Sequence, residues 1–168
     1  MNELIPLLAT LVLLVLLLVP FFIVIGALFP QRVLKTQANI DLMPGRAFTV
    51  GLVNFLFFFA IALVLFILAD KTDGLLKGLL TIPALLIAGL LSIGLCLGLA
   101  GVVNLVGERV APGQSAWQRS LWGTLLLGLA CVVPLVGWFL VLPYAGWVGI
   151  GGLVIGLFQP SRPVLPKE

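Results

Sequence analysis

Long apolar runs separated by short polar intervals dominate this chain. The runs cover residues 4–29, 48–69, 78–107 and 121–158, and about 20 apolar residues suffice for a helix to cross a membrane. The pattern predicts an all-α integral membrane protein, a bundle of four to five transmembrane helices forming one domain over residues 1–158. The predicted spans are about 4–29, 48–69, 78–107, 117–133 and 138–158, before a disordered tail at 159–168.

The last apolar run, Leu121–Phe158, is too long for a single crossing. As one helix it would extend about 55 Å, against a hydrocarbon core of about 30 Å. Two turn signals lie within it, at Pro134 to Gly137 and at Pro143 to Gly146. The first would give two arms near full length, whereas the second would leave a short or re-entrant final arm. We favour the first, which predicts a helical hairpin broken by proline and glycine.

The positions of Lys and Arg support this hairpin. With the N-terminus outside, two of these residues, Lys71 and Lys77, lie outside and seven lie inside. A last run that crossed once would remove this bias. The positive-inside rule therefore predicts an outside N-terminus and an inside C-terminus in a prokaryotic inner (cytoplasmic) or internal membrane. The first run follows an acidic residue and precedes no small-residue cleavage site, which is typical of a signal anchor rather than a cleaved leader.

Two features near the first run affect how it continues. Pro20 falls late in the predicted helix, where it should kink the helix because proline removes a backbone hydrogen bond. The interval Pro30–Ala47 that follows is mostly polar but contains a broken series of apolar residues. That pattern allows two interpretations, a helix lying along the membrane interface or a plain connecting loop.

Small and polar residues inside the runs predict how the helices pack. Small residues let helix backbones approach closely in lipid, and the predicted packing positions are Gly94, Gly98, Gly101, Gly149, Gly152 and Gly156. Asn54 and Asn104 should form interhelical hydrogen bonds, each contributing about 0.6–2 kcal/mol. Trp beside Arg at the start of an apolar run is typical of an interfacial anchor, and the predicted anchors are Trp117, Arg119, Trp122 and Trp138.

The composition argues against functions that need ionisable or metal-binding side chains inside the membrane. Charged residues make up 9% of the chain, against about 25% in globular proteins. There is no histidine, and the apolar runs hold no ionisable group away from their ends, which argues against proton relays and ion-coupled transport. We therefore expect no catalytic residue, metal site or resident cofactor. The scattered Lys and Arg suit anionic lipid better than nucleic acid.

Several short segments together resemble a known type of membrane domain. They are FP at Phe29-Pro30, PGRAFTVGL at Pro44 to Leu52, TIP at Thr81 to Pro83, GLAGVVNLVGERV at Gly98 to Val110, and VVPLVGW at Val132 to Trp138, before a Gly-rich last helix. The chain resembles the small multi-span domain attached to prokaryotic polymer-forming (bactofilin-like) proteins. Since the chain lacks short Gly/Val strands for a β-helix, the cytoskeletal role does not carry over. The resemblance implies a membrane anchor or scaffold, with no catalytic residues to transfer.

Two functions are compatible with these features. The first is a non-enzymatic scaffold, anchor or accessory subunit, whose partners are the lipid bilayer and other membrane protein subunits. The second is a lipid- or pigment-binding protein or a passive conduit that uses the broken last run as its site. Co-purification of a larger complex would separate the first from the second.

Overall fold

The computed structural model describes residues 4–131 and 136–158, and these ranges are helical apart from short connections, with no strand among them. The all-α class is thus confirmed. The helices are α1 (Leu4–Leu28), α2 (Pro30–Leu42), α3 (Pro44–Asp70), α4 (Leu75–Val110), α5 (Ala116–Cys131) and α6 (Leu142–Phe158). A π-helical turn, Gly137–Val141, leads directly into α6. Pro134 and the predicted tail at 159–168 lie outside the described residues.

Three helices within the described ranges are long and apolar enough to cross a membrane: α3, α4 and the helix Gly137–Phe158. A fourth span results if Val15–Leu28 and α2, which meet at an angle of 102°, form one broken crossing. At 16 residues, α5 is shorter than a full span. The structure therefore supports three, or up to four, crossings, and the predicted four to five are not confirmed.

The sharp change of direction near the N-terminus lies at Phe29 rather than at Pro20. α1 continues as one helix through Pro20. The residue before a proline is disfavoured in the helical region, and Phe29, before Pro30, has φ −126° and ψ 51°. Met43, before Pro44, ends α2 in the same way with φ −143° and ψ 65°. The Phe29–Pro30 and Met43–Pro44 steps therefore separate α2 from α1 and from α3.

α2 is a helix packed against the bundle, so the interval Pro30–Ala47 is not a plain connecting loop. The other interpretation, a helix that lies along the membrane interface, stays a prediction. The buried residues of α2 are Val33, Thr36 and Ile40, which lie on one helical face because of their spacing. This face packs mainly against α4 and α6. Part of the apolar pattern is therefore used for contact with other helices of the chain, whereas Leu34 and Leu42 remain exposed.

α5 and α6 run in opposite directions. Gly107 of α4 contacts the backbone of Arg119 on α5, and Gly123 of α5 contacts the backbone of Val103 on α4. Because the contact position moves backward along α4 as it moves forward along α5, the two helices are antiparallel. α6 approaches α3 in the same antiparallel manner, and a Cβ on Gly137 would lie 2.5 Å from Cys131 Cα, so the described ends of the two arms of the last block are close together. The alternative turn at Pro143 to Gly146 is not observed, because α6 is helical through these residues.

The core lies in the half of the molecule that contains α2 and the second half of α4. α4 contributes a nearly continuous buried stretch there, from Gly98 to Gly107. α6 contributes another, from Ala145 to Gly152. α1 joins this core through Phe22, which is 3% exposed and packs beside Val33 and Val103.

Candidate functional site

Glycines hold the core helices together through close contacts between backbones. A Cβ on Gly149 would lie 2.5 Å from the carbonyl carbon of Gly98, and a Cβ on Gly101 would lie 2.6 Å from Thr36 Cγ2. Atoms this close overlap, so side chains larger than hydrogen are excluded. Gly152 and Gly156 meet α2 in the same way, through Ile40 and Asn39. Among the predicted packing glycines, Gly94 differs, because its nearest neighbour is the end of the Leu153 side chain at 4.0 Å.

Further tight contacts involve glycines outside the six predicted packing positions, although Gly151 belongs to the glycine series of the last helix for which close packing was also expected. A Cβ on Gly51 would overlap the Trp147 carbonyl, and one on Gly151 would overlap the Ala47 carbonyl. The additional glycines in such contacts include Gly107, Gly123, Gly128 and Gly137. Most of these glycines are not part of a GxxxG pair. The only indication of close packing in the sequence is that each glycine lies in an apolar run rich in larger residues.

The two predicted interhelical asparagines have different partners. Ser120 Oγ of α5 donates a hydrogen bond to Asn104 Oδ1 of α4 at 3.1 Å, and both side chains are buried. Asn54 Nδ2 instead donates to the Val50 carbonyl at 2.8 Å, within α3 itself. The expected interhelical hydrogen bond of Asn54 is therefore not observed. Its side-chain amide donates instead to a carbonyl one turn earlier in its own helix, as short polar side chains can in apolar surroundings.

The predicted interfacial anchors lie at the ends of the hairpin arms. Trp117 and Trp122 are exposed on the first turns of α5, and Trp138 is exposed in the π-helical turn before α6. Arg119 is different, because its guanidinium is three-quarters buried and pairs with the Glu108 carboxylate. The Arg119 side chain therefore links α5 to α4 through Glu108.

Charge is distributed unequally between the two ends of the bundle. α2, the start of α3, the end of α4 and the start of α5 together carry five basic residues and two acids: Arg32, Lys35, Arg46, Arg109, Arg119, Asp41 and Glu108. Arg109 also pairs with Asp41 at 2.8 Å, which ties α4 to α2. The segment that joins α3 to α4, at the opposite end, has Asp70 and Asp73 against Lys71 and Lys77. One end is basic and the other is neutral.

A cavity of about 370 Å³ lies at this basic end, inside the elbow between α1 and α2 and against the start of α5. Its walls are mainly apolar, but the Asn104–Ser120 pair and Arg119 also line it. Arg119 Nε is buried and has no hydrogen-bond partner within the described part of the chain. The elbow cavity therefore combines an apolar wall with an unused donor on a charged group.

A second cavity of about 290 Å³ follows the first along α1 and α5. On α1, Phe22 lines this second cavity, and its neighbour Ile23 lines the elbow cavity. On α5, Thr124 lines the second cavity, and Ser120, one helical turn earlier, lines the elbow cavity. The remaining walls of the second cavity are almost entirely apolar and include Trp138. The two cavities are therefore stacked in the seam between α1 and α5, with the polar one nearer the basic end.

An open groove of about 280 Å³ lies elsewhere, between α3 and the first half of α4. Phe55, Phe59 and Phe66 form one side, and Ala88 and Ser92 belong to the opposite side. Ser92 Oγ donates to the Ala88 carbonyl in its own helix, so the groove offers an almost wholly apolar surface. We call this the α3–α4 groove.

Within the described residues, no group of three or more His, Cys, Asp or Glu could hold a metal ion. The concave surfaces therefore offer shape, apolar area and a few hydrogen-bonding groups. Comparison with family models, with curated proteins and with solved structures finds no match to this chain.

Proposed function

We propose that the protein is a non-enzymatic integral membrane scaffold, anchor or accessory subunit that binds a helix of another membrane protein in the α3–α4 groove. The observation that carries this proposal is the uneven coverage of the spans. Of the most apolar window of α3, 11% is buried within the chain, whereas the share for Gly137–Phe158 is 39%. α3 therefore has most of its surface available for lipid or for a partner.

Small residues on α4 favour a protein partner over lipid alone. Gly78 and Gly89 have open space where a Cβ would be, and Ala88 and Ser92 line the α3–α4 groove. Elsewhere in this chain, glycines of α4 are used for close helix contact. In lipid, where apolar surface alone gives no drive to associate, such small-residue positions are where a second helix can pack closely. The resemblance to the bactofilin-associated membrane domain would lead to the same assignment, a membrane anchor or scaffold.

Extraction of tagged protein in mild detergent, followed by size-exclusion chromatography, tests this function. The wild type should elute in a complex with another membrane protein. Ala88→Leu would fill the α3–α4 groove and should release the partner. Ala60→Leu makes the same enlargement on α3, at an exposed position that does not line the groove, and should retain it.

Three results would contradict the proposal. Elution of the wild type as a single chain would remove the partner altogether. A homo-oligomer would assign the groove to a second copy of this chain. Equal partner recovery with Ala88→Leu and Ala60→Leu would place the partner on another surface.

For membrane orientation, we propose that the basic end faces the cytoplasm, with the N-terminus outside. The support is the charge difference between the two ends, since Lys and Arg accumulate on the cytoplasmic side of membrane proteins. In intact bacterial cells, a membrane-impermeant thiol reagent should label a cysteine introduced at Gly74 and spare one at Gly113. The reverse labelling would invert the orientation without affecting the partner proposal.

A further inference from the structure

The seam between α1 and α5 holds features that helix packing alone does not explain. A bundle core normally satisfies its buried polar groups, yet Arg119 Nε has no hydrogen-bond partner among the described residues. The same Arg119 lines a cavity of about 370 Å³. This cavity is a cleft that is partly open to the surroundings. A cleft lined by a cationic side chain and by the Asn104–Ser120 pair indicates a site for a ligand that brings an acceptor.

We propose that the elbow cavity binds the phosphate group of one anionic phospholipid, with an acyl chain in the second cavity along α1 and α5. This proposal goes beyond the partner-binding function, and it concerns the opposite end of the molecule from the neutral α3–α4 turn. The phosphate would lie among Arg119, Ser120 and Asn104, where it accepts hydrogen bonds from the partly exposed Arg119 guanidinium and from the Asn104 amide.

The polar groups of the cavity match a phosphate in number and type. Asn104 uses its Oδ1 to accept from Ser120, which leaves the Nδ2 donors for a ligand. A Cβ on Gly26 would lie 3.7 Å from Ser120 Oγ and 3.9 Å from Asn104 Nδ2, so Gly26 forms the wall directly opposite the pair. Because no carboxylate other than that of Glu108 lies near these donors, and Glu108 is already paired with Arg119, an anion meets little direct repulsion.

The surrounding charge favours an anionic over a zwitterionic headgroup. The Arg119–Glu108 pair is neutral as a unit, so the positive potential must come from residues around it. Arg32 is exposed on the first turn of α2; it does not line the cavity, but it is next to the lining residue Val33 in the chain, so its charge acts at the same end of the molecule. A basic residue near the membrane surface strengthens binding of anionic lipid by about fivefold.

The second cavity suits an acyl chain because of its composition and position. It continues from the elbow cavity toward the middle of the seam, and Leu18, Phe22 and Leu127 are among its apolar walls. Trp117 is exposed beside the elbow cavity, at a place where indole rings in membrane proteins accompany lipid headgroups. A chain that leaves a headgroup at the elbow would follow α1 to this second cavity, which shares no lining residue with the first.

Native mass spectrometry of the full chain in detergent, with phosphatidylglycerol or phosphatidylcholine added, tests the site. One phosphatidylglycerol should bind with at least a fivefold preference over phosphatidylcholine. Arg32→Gln, on the helix α2 that contributes part of the cavity wall, should reduce that preference by about fivefold. Arg46→Gln makes the same change at an exposed residue of α3, a helix that contributes no lining residue, and should preserve the preference.

A steric variant tests the cavity itself. Gly26→Leu should fill it and lower phosphatidylglycerol binding by tenfold or more. If Gly26→Leu does not fold, Ala27→Leu places the same bulk at an exposed lining residue and should have the same effect. Equal binding of the two lipids, or full binding by a folded cavity-filled variant, would overturn the proposal. Because Ala88→Leu leaves the elbow intact, loss of the partner and loss of the lipid are separate results.

Discussion

The two halves of α4 differ sharply in what covers them, although both are apolar. In the first half, Leu75, Leu79, Leu85 and Leu90 are between 58% and 96% exposed, and Ala84 is the one buried residue before Gly98. In the second half, the helix is buried on several sides by α2, α5 and α6. Hydrophobicity therefore does not decide which half is packed. In lipid, an apolar side chain gains little by leaving the solvent for a protein neighbour.

Backbone access distinguishes the two halves. The packed half presents Gly98, Gly101 and Gly107 to three different helices, and each contact brings two backbones or a backbone and a side chain together. The outer half has Gly78 and Gly89, but no described atom of the chain approaches them. Small residues thus mark close approach in one half and an unoccupied position in the other. This contrast supports the partner proposal, which rests on the low burial of α3.

The largest expected effect comes from placing the same side chain in each half. Gly98→Val would drive the new side chain into the α6 backbone at Gly149 and Ile150, where even a Cβ would lie 2.7 Å from the Ile150 nitrogen. Overpacking of this kind should cost about 3 kcal/mol. Gly89→Val meets open space and should change stability by less than about 0.5 kcal/mol. Unfolding in mixed SDS and mild-detergent micelles measures both.

The comparison between the halves fails if the two valine variants are equally stable. That result would mean that α4 and α6 can separate at Gly98 without loss, and that the glycine contacts are a consequence of packing rather than its cause. A large loss for Gly89→Val, measured in the isolated chain, would instead show that the outer half is packed by this chain itself.

The helices were largely predictable, because a long apolar run in the sequence indicates a helix that can span a membrane. The break between α5 and α6 was also accessible, since an uncharged run of 121–158 is too long for one crossing. The number of crossings was not, because hydropathy does not report that α1 and α2 meet at 102°, which decides whether the two can form one broken crossing.

The contacts of individual residues were harder to predict. Gly51 and Gly151 lie in tight contacts that depend on how α3 and α6 are rotated about their axes, which composition does not specify. Asn54 and Asn104 have the same side chain in similar apolar surroundings, yet only Asn104 meets a hydroxyl on a neighbouring helix. The elbow cavity depends on the bend at Phe29, so its walls come from three segments distant in sequence.

Replacing a serine in, or in contact with, each half of α4 should have a smaller effect on stability than the valine substitutions. Ser120 Oγ donates across to Asn104 in the packed half, and Ser120→Ala leaves the Asn104 oxygen without this donor. We expect a loss of about 1 kcal/mol. Ser92 Oγ, in the outer half, bonds within its own helix, so Ser92→Ala should cost no more than a few tenths. Equal losses in the same micelle assay would show that interhelical bonding adds nothing at Asn104.

The smallest effect should come from the ion pair at the end of the packed half. The Asp41 and Arg109 side chains are 57% and 66% exposed, so water and salt screen their attraction, and Asp41→Asn should cost less than about 1 kcal/mol. Asp73→Asn, the same change in the α3–α4 turn, should be neutral. Raising the salt concentration should bring the two variants together. A loss above about 2 kcal/mol for Asp41→Asn would mean that charge, rather than the glycine contacts of α4 and α6, holds α2 against the core.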